Sequence, residues 1–214
     1  MQNQLISNKK SPFPLGAWQL FTFYLHFSLL AQEAIKQAAV TSEGNHTLVV
    51  TDTSGNEITV KFTIDKTSTV VTGVSNNGLY KKDVIITFNE GTATLDGDDS
   101  TSGKTVTSEG SHTLVVTDAA GNATTVNFTI DKTAPNAPTV DTVTSKTTEV
   151  TGTAEANSTI VVKEGKDTIG IGKTDQDGKF TISIEKQKKG TNLYVTAKDI
   201  AGNVSAATKV TVSK

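Results

Sequence analysis

No cysteine and no arginine occur among the 214 residues, and only 6% of them are aromatic. Without cysteine there is neither a disulfide framework nor a thiolate metal site. Without arginine the positive charge sits on scattered lysines, and at a net charge of -2 the chain lacks the basic footprint of a nucleic-acid binder. The shortage of aromatics leaves few of the exposed rings on which carbohydrate sites are often built. What the chain does have is threonine, valine, serine and glycine in quantity, a composition suited to short, half-buried strands joined by many turns.

Those strands recur. Residues 40–67 (VTSEGNHTLVVTDTSGNEITVKFTIDKT) and residues 106–133 (VTSEGSHTLVVTDAAGNATTVNFTIDKT) agree at 22 of 28 positions without a gap, and Asp65 and Asp131 stand 66 residues apart. A looser copy, LYVTAKDIAGNVSAATKVTV, spans residues 193–212. Fixed-period self-similarity of this kind marks a tandem array.

Residues 1–39 do not belong to the repeat. Lys9 and Lys10 precede an uncharged run, residues 11–32, that holds the only tryptophan and half of the eight phenylalanines. This basic-then-apolar order suits a secretory signal or a membrane anchor, helical in either case, and residues 11–31 would be the chain's one means of meeting a membrane. The strongly apolar part, residues 15–31, is 17 residues long, at the lower edge of the roughly 17–25 that span a bilayer. The competing reading is a spurious segment, because a dissimilar sequence meets the repeat abruptly at Val40. The period then predicts that residues 40–67 are a truncated repeat, a last hairpin without the strands that would bury its apolar face. An isolated hairpin is marginal in water, so an ill-packed element is expected there.

In residues 68–135, alternation places Val84, Ile86 and Phe88 on one face, His112, Leu114 and Val116 on another, and Thr124, Val126, Phe128 and Ile130 on a third. Between the last two, DAAGN (118–122) has the residues of a tight turn. Further short segments at 70–74, 93–95 and 104–106 bring the total to about seven strands, which predicts a β-sandwich. Pro135 and Pro138 open a last module, residues 136–214, with strands expected at 139–144, 147–154, 159–163, 169–173, 179–185, 193–198 and 207–212. The combination T-L-x-V-T-D-x-x-G-N followed by F-T-I-D-K-T-A-P resembles the bacterial immunoglobulin-like repeats of cell-wall-associated and adhesin proteins. V-T-G-x-A-E-x-N-S (150–158), D-x-D-G-x-F (175–180) and A-x-D-x-A-G-N-x-S (197–205) resemble a second, related class of such modules. The resemblance implies an all-β fold of tandem immunoglobulin-like β-sandwich modules, extracellular at a bacterial surface, acting as spacers and binding platforms and not as enzymes.

Several motifs invite a catalytic or ligand reading and fail it. GDDSTSGKT (97–105) has five residues between its glycines where a phosphate-binding loop needs four, and a strand follows where a helix is required. GIGKT (170–174) fails likewise, since Asp167 stands in place of the first glycine. Asp175 and Asp177 suggest a calcium loop, but Lys186 occupies the position of its bidentate glutamate, so a turn is the expectation. His46 and His112 take equivalent repeat positions and read as structural.

One site is expected. In such a sandwich the turn between the last two strands lies at the end where the chain enters, so each D-x-x-G-N should face the preceding linker. Asp65 would then meet Asp118 and Asn122, with Asn76 or Asn77; Asp131 would meet Asp199 and Asn203, with Glu155 and Asn157. Clustered carboxylates and carbonyls are oxygen ligands for calcium, which would stiffen the joints; turn caps and exposed charges are the plainer reading of the same residues. Expected partners are neighbouring modules of the same chain and a host or cell-wall protein or glycan. A structural spacer or adhesion protein leads the functional readings, followed by the accessory array of a secreted or wall-bound enzyme, with a carbohydrate-binding module last.

Overall fold

The computed structural model describes residues 39–214, and every regular element among them is a β-strand. The expectation of a helical signal, anchor or spurious segment at residues 1–39 falls almost wholly outside the described residues. No helix among the described residues is long and apolar enough to cross a membrane. The described residues divide into two compact units: residues 39–68 with Thr117–Asn122, and Thr69–Val116 with Ala123–Lys214.

The first unit contains a hairpin of β1 (Gly44–Thr51) and β2 (Glu57–Ile64), paired antiparallel from Gly44↔Ile64 to Thr51↔Glu57. Leu48 faces Val60 and Val50 faces Ile58, so the period of two gathers these four on one side. That side is poorly covered: Leu48 is 37% and Ile58 55% exposed.

In the second unit, β3 (Val71–Thr72), β4 (Gly78–Tyr80), β5 (Val84–Phe88), β6 (Thr92–Leu95), β7 (Asp98–Ser100), β8 (Lys104–Val106), β9 (Gly110–Thr117) and β10 (Ala123–Ile130) build a sandwich. One sheet runs β3-β5-β8 and the other β4-β10-β9-β6-β7. Their facing sides bury Val84 and Ile86 against Leu114, Val116, Val126, Phe128 and Ile130, the sets that alternation predicts. Two strands are additions to the sequence reading. β7 has no apolar residue and pairs only at its β6 side, while β4 is three residues long and runs parallel to β10, with Gly78 opposite Phe128. β4 brings the Tyr80 ring edge-on to Phe128, at 6.3 Å and 79°. Before it, Gly73 takes φ +86 with its α-carbon so close to β5 that an added Cβ would lie 1.8 Å from the Ile85 carbonyl oxygen. Only glycine fits both conditions.

The same unit continues with β11 (Thr139–Val140), β12 (Glu149–Thr153), β13 (Thr159–Glu164), β14 (Asp167–Lys173), β15 (Lys179–Ser183), β16 (Asn192–Lys198) and β17 (Thr208–Thr211). Sheets β11-β12-β15 and β14-β13-β16-β17 enclose a second core in which Val150, Ile160, Val162, Leu193, Val195 and Ala197 are fully buried. The strand expected at 139–144 is reduced to two residues and a single bridge from Thr144 to Ser213.

Candidate functional site: the module joint

The turn D-x-x-G-N occurs three times, each time with the aspartate accepting the asparagine N–H, the asparagine side-chain amide and one further backbone N–H. In the turn after β9, Asp118 Oδ1 accepts the backbone N–H groups of Ala120 and Asn122, both at 2.8 Å, and its Oδ2 accepts the Asn122 side-chain amide, also at 2.8 Å. In the turn after β16, Asp199 Oδ1 accepts from Gly202 and Asn203 N–H at 2.6 and 2.8 Å, and its Oδ2 from the Asn203 amide at 2.9 Å. In the turn after β1, Asp52 does the same with Ser54 and Asn56. Glycine at the fourth position supplies a left-handed backbone, φ +94 at Gly121 and +92 at Gly202. The donated bonds favour the ionised form: the Asn122 amide, ahead of the backbone donors, holds Asp118 below the usual carboxylate range, and Asn56 does so for Asp52.

The asparagine has a second amide hydrogen, and it reaches the preceding linker. Asn122 donates to the backbone carbonyl of Asp65 at 3.1 Å, with a longer contact of 3.4 Å to that of Thr67. Asn203 donates to the backbone carbonyl of Asp131 at 2.8 Å. Each thus spans an aspartate carboxylate in its own turn and a main-chain oxygen in the incoming chain. Asp118 and Asp199 are 7% and 8% exposed, whereas Asp52 is exposed. The later joint gains a further bond, from Lys81 Nζ to the Gly202 carbonyl at 3.3 Å.

The linker is also tied to the hairpin it leaves. Lys132 Nζ donates to the Thr107 carbonyl at 2.7 Å and to Asp83 at 2.8 Å, and the Thr133 hydroxyl donates to Glu109 at 2.9 Å. The backbone N–H of Lys132 also donates to Glu109, and with Thr133 it keeps that carboxyl below its ordinary range. The earlier copy repeats the pattern, Lys66 donating to the Thr41 carbonyl and Thr67 to Glu43. Asp65 and Asp131 each cap their own linker, accepting the N–H of Thr67 at 2.9 Å and of Thr133 at 3.1 Å. The sequence reading missed this strap, although its signal was present: T-S-E and the K-T of D-K-T are exposed yet identical in both copies.

Asp65, Asp118 and Asn122 therefore come together, as do Asp131, Asp199 and Asn203, and the oxygens expected for calcium are engaged in bonds within the chain. The Asp118 and Asp199 oxygens are filled by N–H donors, the Asp65 and Asp131 carboxylates cap their own linkers, and each asparagine turns nitrogen, not oxygen, to the linker carbonyl. No group of three or more His, Asp or Glu side chains able to hold a metal occurs among the described residues. Asn76 departs from expectation as well: its Oδ1 accepts the Asn127 N–H far along β10 from the turn. Glu155 gives its carbonyl to the Ser158 and Thr174 hydroxyls. His112 is structural: its ring is 6% exposed, Nδ1 lies 2.7 Å from Asp96 Oδ2, and Nε2 lies 3.0 Å from the Ser108 carbonyl. His46 keeps the second contact, 2.8 Å to the Ser42 carbonyl.

Residues 134–214 match the family model described as Bacterial Ig domain. The similarity to this family covers the last module only. The match begins at Ala134, so it takes in the D-I-A-G-N turn and leaves the sandwich of β3–β10 outside. The chain is 44% identical over 78 residues to the Cell wall-associated protease of Bacillus subtilis (strain 168), which covers 36% of this chain and 9% of that protein. It thus spans less than a tenth of the length of this relative. Among solved structures, the BSP domain of a biofilm associated protein aligns with a TM-score of 0.36 at 19% identity, over 67% of this chain and 30% of the other. Fibronectin(III)-like modules of Clostridium thermocellum CbhA align with a TM-score of 0.39 at 14% identity, over 68% and 94%. The matched segment and the sandwich before it meet at Asp131 and Asn203.

Proposed function

We propose that this chain is a non-catalytic, extracellular part of a bacterial surface protein, in which successive Ig-like modules (68–135 and 136–214, preceded by the hairpin remnant 40–67) act as an oriented spacer. The joint at Asp131 supports this reading. Its linker is bonded to the module it leaves through Lys132 and Thr133, and to the module it enters through Asn203. A linker bonded on both sides holds direction where a free one would behave as a flexible coil. Orientation is what a spacer contributes, and it needs no pocket and no titrating group. The test is a distance distribution between spin labels on the two modules in the full chain: a single narrow peak is expected, and a broad, coil-like distribution would sink the reading.

A second reading, the accessory array of a secreted or wall-bound enzyme, draws on the 44% identity to a segment of a cell wall-associated protease. A catalytic domain encoded in the DNA adjoining this chain would favour it. In either case the outer faces and strand edges would meet a wall or host protein or a glycan.

A further inference from the structure

Lysines that are scattered in the sequence are gathered by the register of one sheet. In β14-β13-β16-β17, Ile160, Val162, Leu193, Val195 and Ala197 are fully buried in the core, so the residues between them form the outer face. Lys173 and Lys198 both stand opposite Thr159, and Lys163 and Lys209 both stand opposite Tyr194. The lysines of each row are thus two strand spacings apart, about 10 Å, and the rows lie four residues apart on β13, about 13 Å. Between the rows Ile171, opposite Val161, is 65% exposed. The carboxylates of these strands, Glu164 and Asp167, stand opposite each other at the hairpin end, at the register of the buried Leu193. All four lysines are exposed, and among the described residues no hydrogen bond or ion pair engages their ammonium groups. A face kept for solubility alone mixes the two signs of charge.

We propose that this face binds a linear polyanion whose charges are phosphodiesters in its backbone, a polyol phosphate of the bacterial wall; the proposal rests on the reading of this chain as part of a bacterial surface protein. Ammonium groups attract phosphate as point charges, without the bidentate geometry that arginine offers, and the chain has no arginine. The four charges stand singly, so the occupant has to carry single charges along a flexible chain and lie across the strands. A polyol phosphate does both, and its carbons would rest on Ile171 and on Tyr194, which is 38% exposed. An acidic peptide is the poorer fit. It brings backbone N–H and C=O groups that need partners, and the main chain beneath this face is already paired in its ladders.

The test titrates fluorescently labelled poly(glycerol phosphate) with the full chain at several salt concentrations. At about 0.7 counterion released per phosphate neutralised, four contacts give log affinity against log salt a slope of about −2.8, so binding weakens about 50-fold between about 50 and about 200 mM salt. Lys173→Gln together with Lys209→Gln should halve that slope and weaken binding by about tenfold or more at the lower salt. Lys82→Gln together with Lys104→Gln makes the same change of charge at exposed positions of the preceding sandwich and should leave both values as they are. Absent or salt-independent binding would overturn the proposal, as would an equal loss in the second pair, which would show attraction to net charge alone. Tighter binding of poly-L-glutamate than of the phosphate polymer would give the face to an acidic peptide and overturn it as well. A narrow interspin distance without polymer binding would remove this proposal and leave the spacer reading standing.

Discussion

Asn203→Ala isolates what the clamp contributes. The substitution removes a neutral hydrogen bond to the Asp131 carbonyl and a charge-assisted one to Asp199. Net values of about 0.5–1.5 and about 1.5–3 kcal/mol for the two kinds bracket the loss. Asn203 is half-buried, so water takes over part of both roles, and a total of about 1–3 kcal/mol is expected. Roughly 1 kcal/mol of this belongs to the joint, enough to change the ratio of open to closed joints by about fivefold. Because the chain has no cysteine, labels at Thr101→Cys and Lys166→Cys, both exposed, would be unique. Pulsed electron resonance on this pair should give one narrow distance in the parent and a broadened distribution in Asn203→Ala, with the β-sheet signal intact. An unchanged width in a folded variant would show that Asn203 caps its own turn and does not govern the joint.

Acid should loosen the turns. Asp118 is held below its unfolded value, so its contribution is complete above about pH 4 and lost as pH falls through the lowered native value; the gap in thermal midpoint between the parent and Asp118→Asn should narrow on going from pH 6 to pH 2. Calcium should not move the thermal midpoint, and a rise on titration that chelator reverses would show that the joint oxygens leave their N–H donors for an ion. Asp96→Ala should destabilise its sandwich by about 1–3 kcal/mol in denaturant melts, because the buried His112 and the Thr113 N–H lose their acceptor. Hydrogen exchange should be faster across residues 44–64 than across 110–130; equal protection would refute the weak packing of the first hairpin.

Much of the fold was legible because its strands alternate. Phe180, Ile182, Leu193 and Val195 are buried where a period of two puts them, since a sandwich with one wet face per sheet writes its core into every other residue. β4 and β7 were not legible, because neither carries a pattern: β4 is a three-residue pairing made by tertiary contact, and β7 is a polar edge. The meeting of Asp131 with Asn203 followed from the topology of a sandwich. What the residues do there did not. Asp and Asn supply oxygens to a cation and to N–H groups alike, and it took the structure to show that Asp199 accepts N–H groups and that the Asn203 amide donates to the linker. The strap between Lys132, Thr133 and Glu109 was overlooked because charged surface residues are ordinarily interchangeable, and identity between two copies was the one sign that these are not.

Asn203 and Asn122 grip a main-chain carbonyl, and every residue has one. The grip makes no demand on the side chain it holds, so a module with D-x-x-G-N between its last two strands can be seated behind any neighbour whose last strand runs out at the right height. Such a joint is a common fitting: the same grip seats the turn at 118–122 on Asp65 and the turn at 199–203 on Asp131, although the segments that carry the two turns differ in sequence.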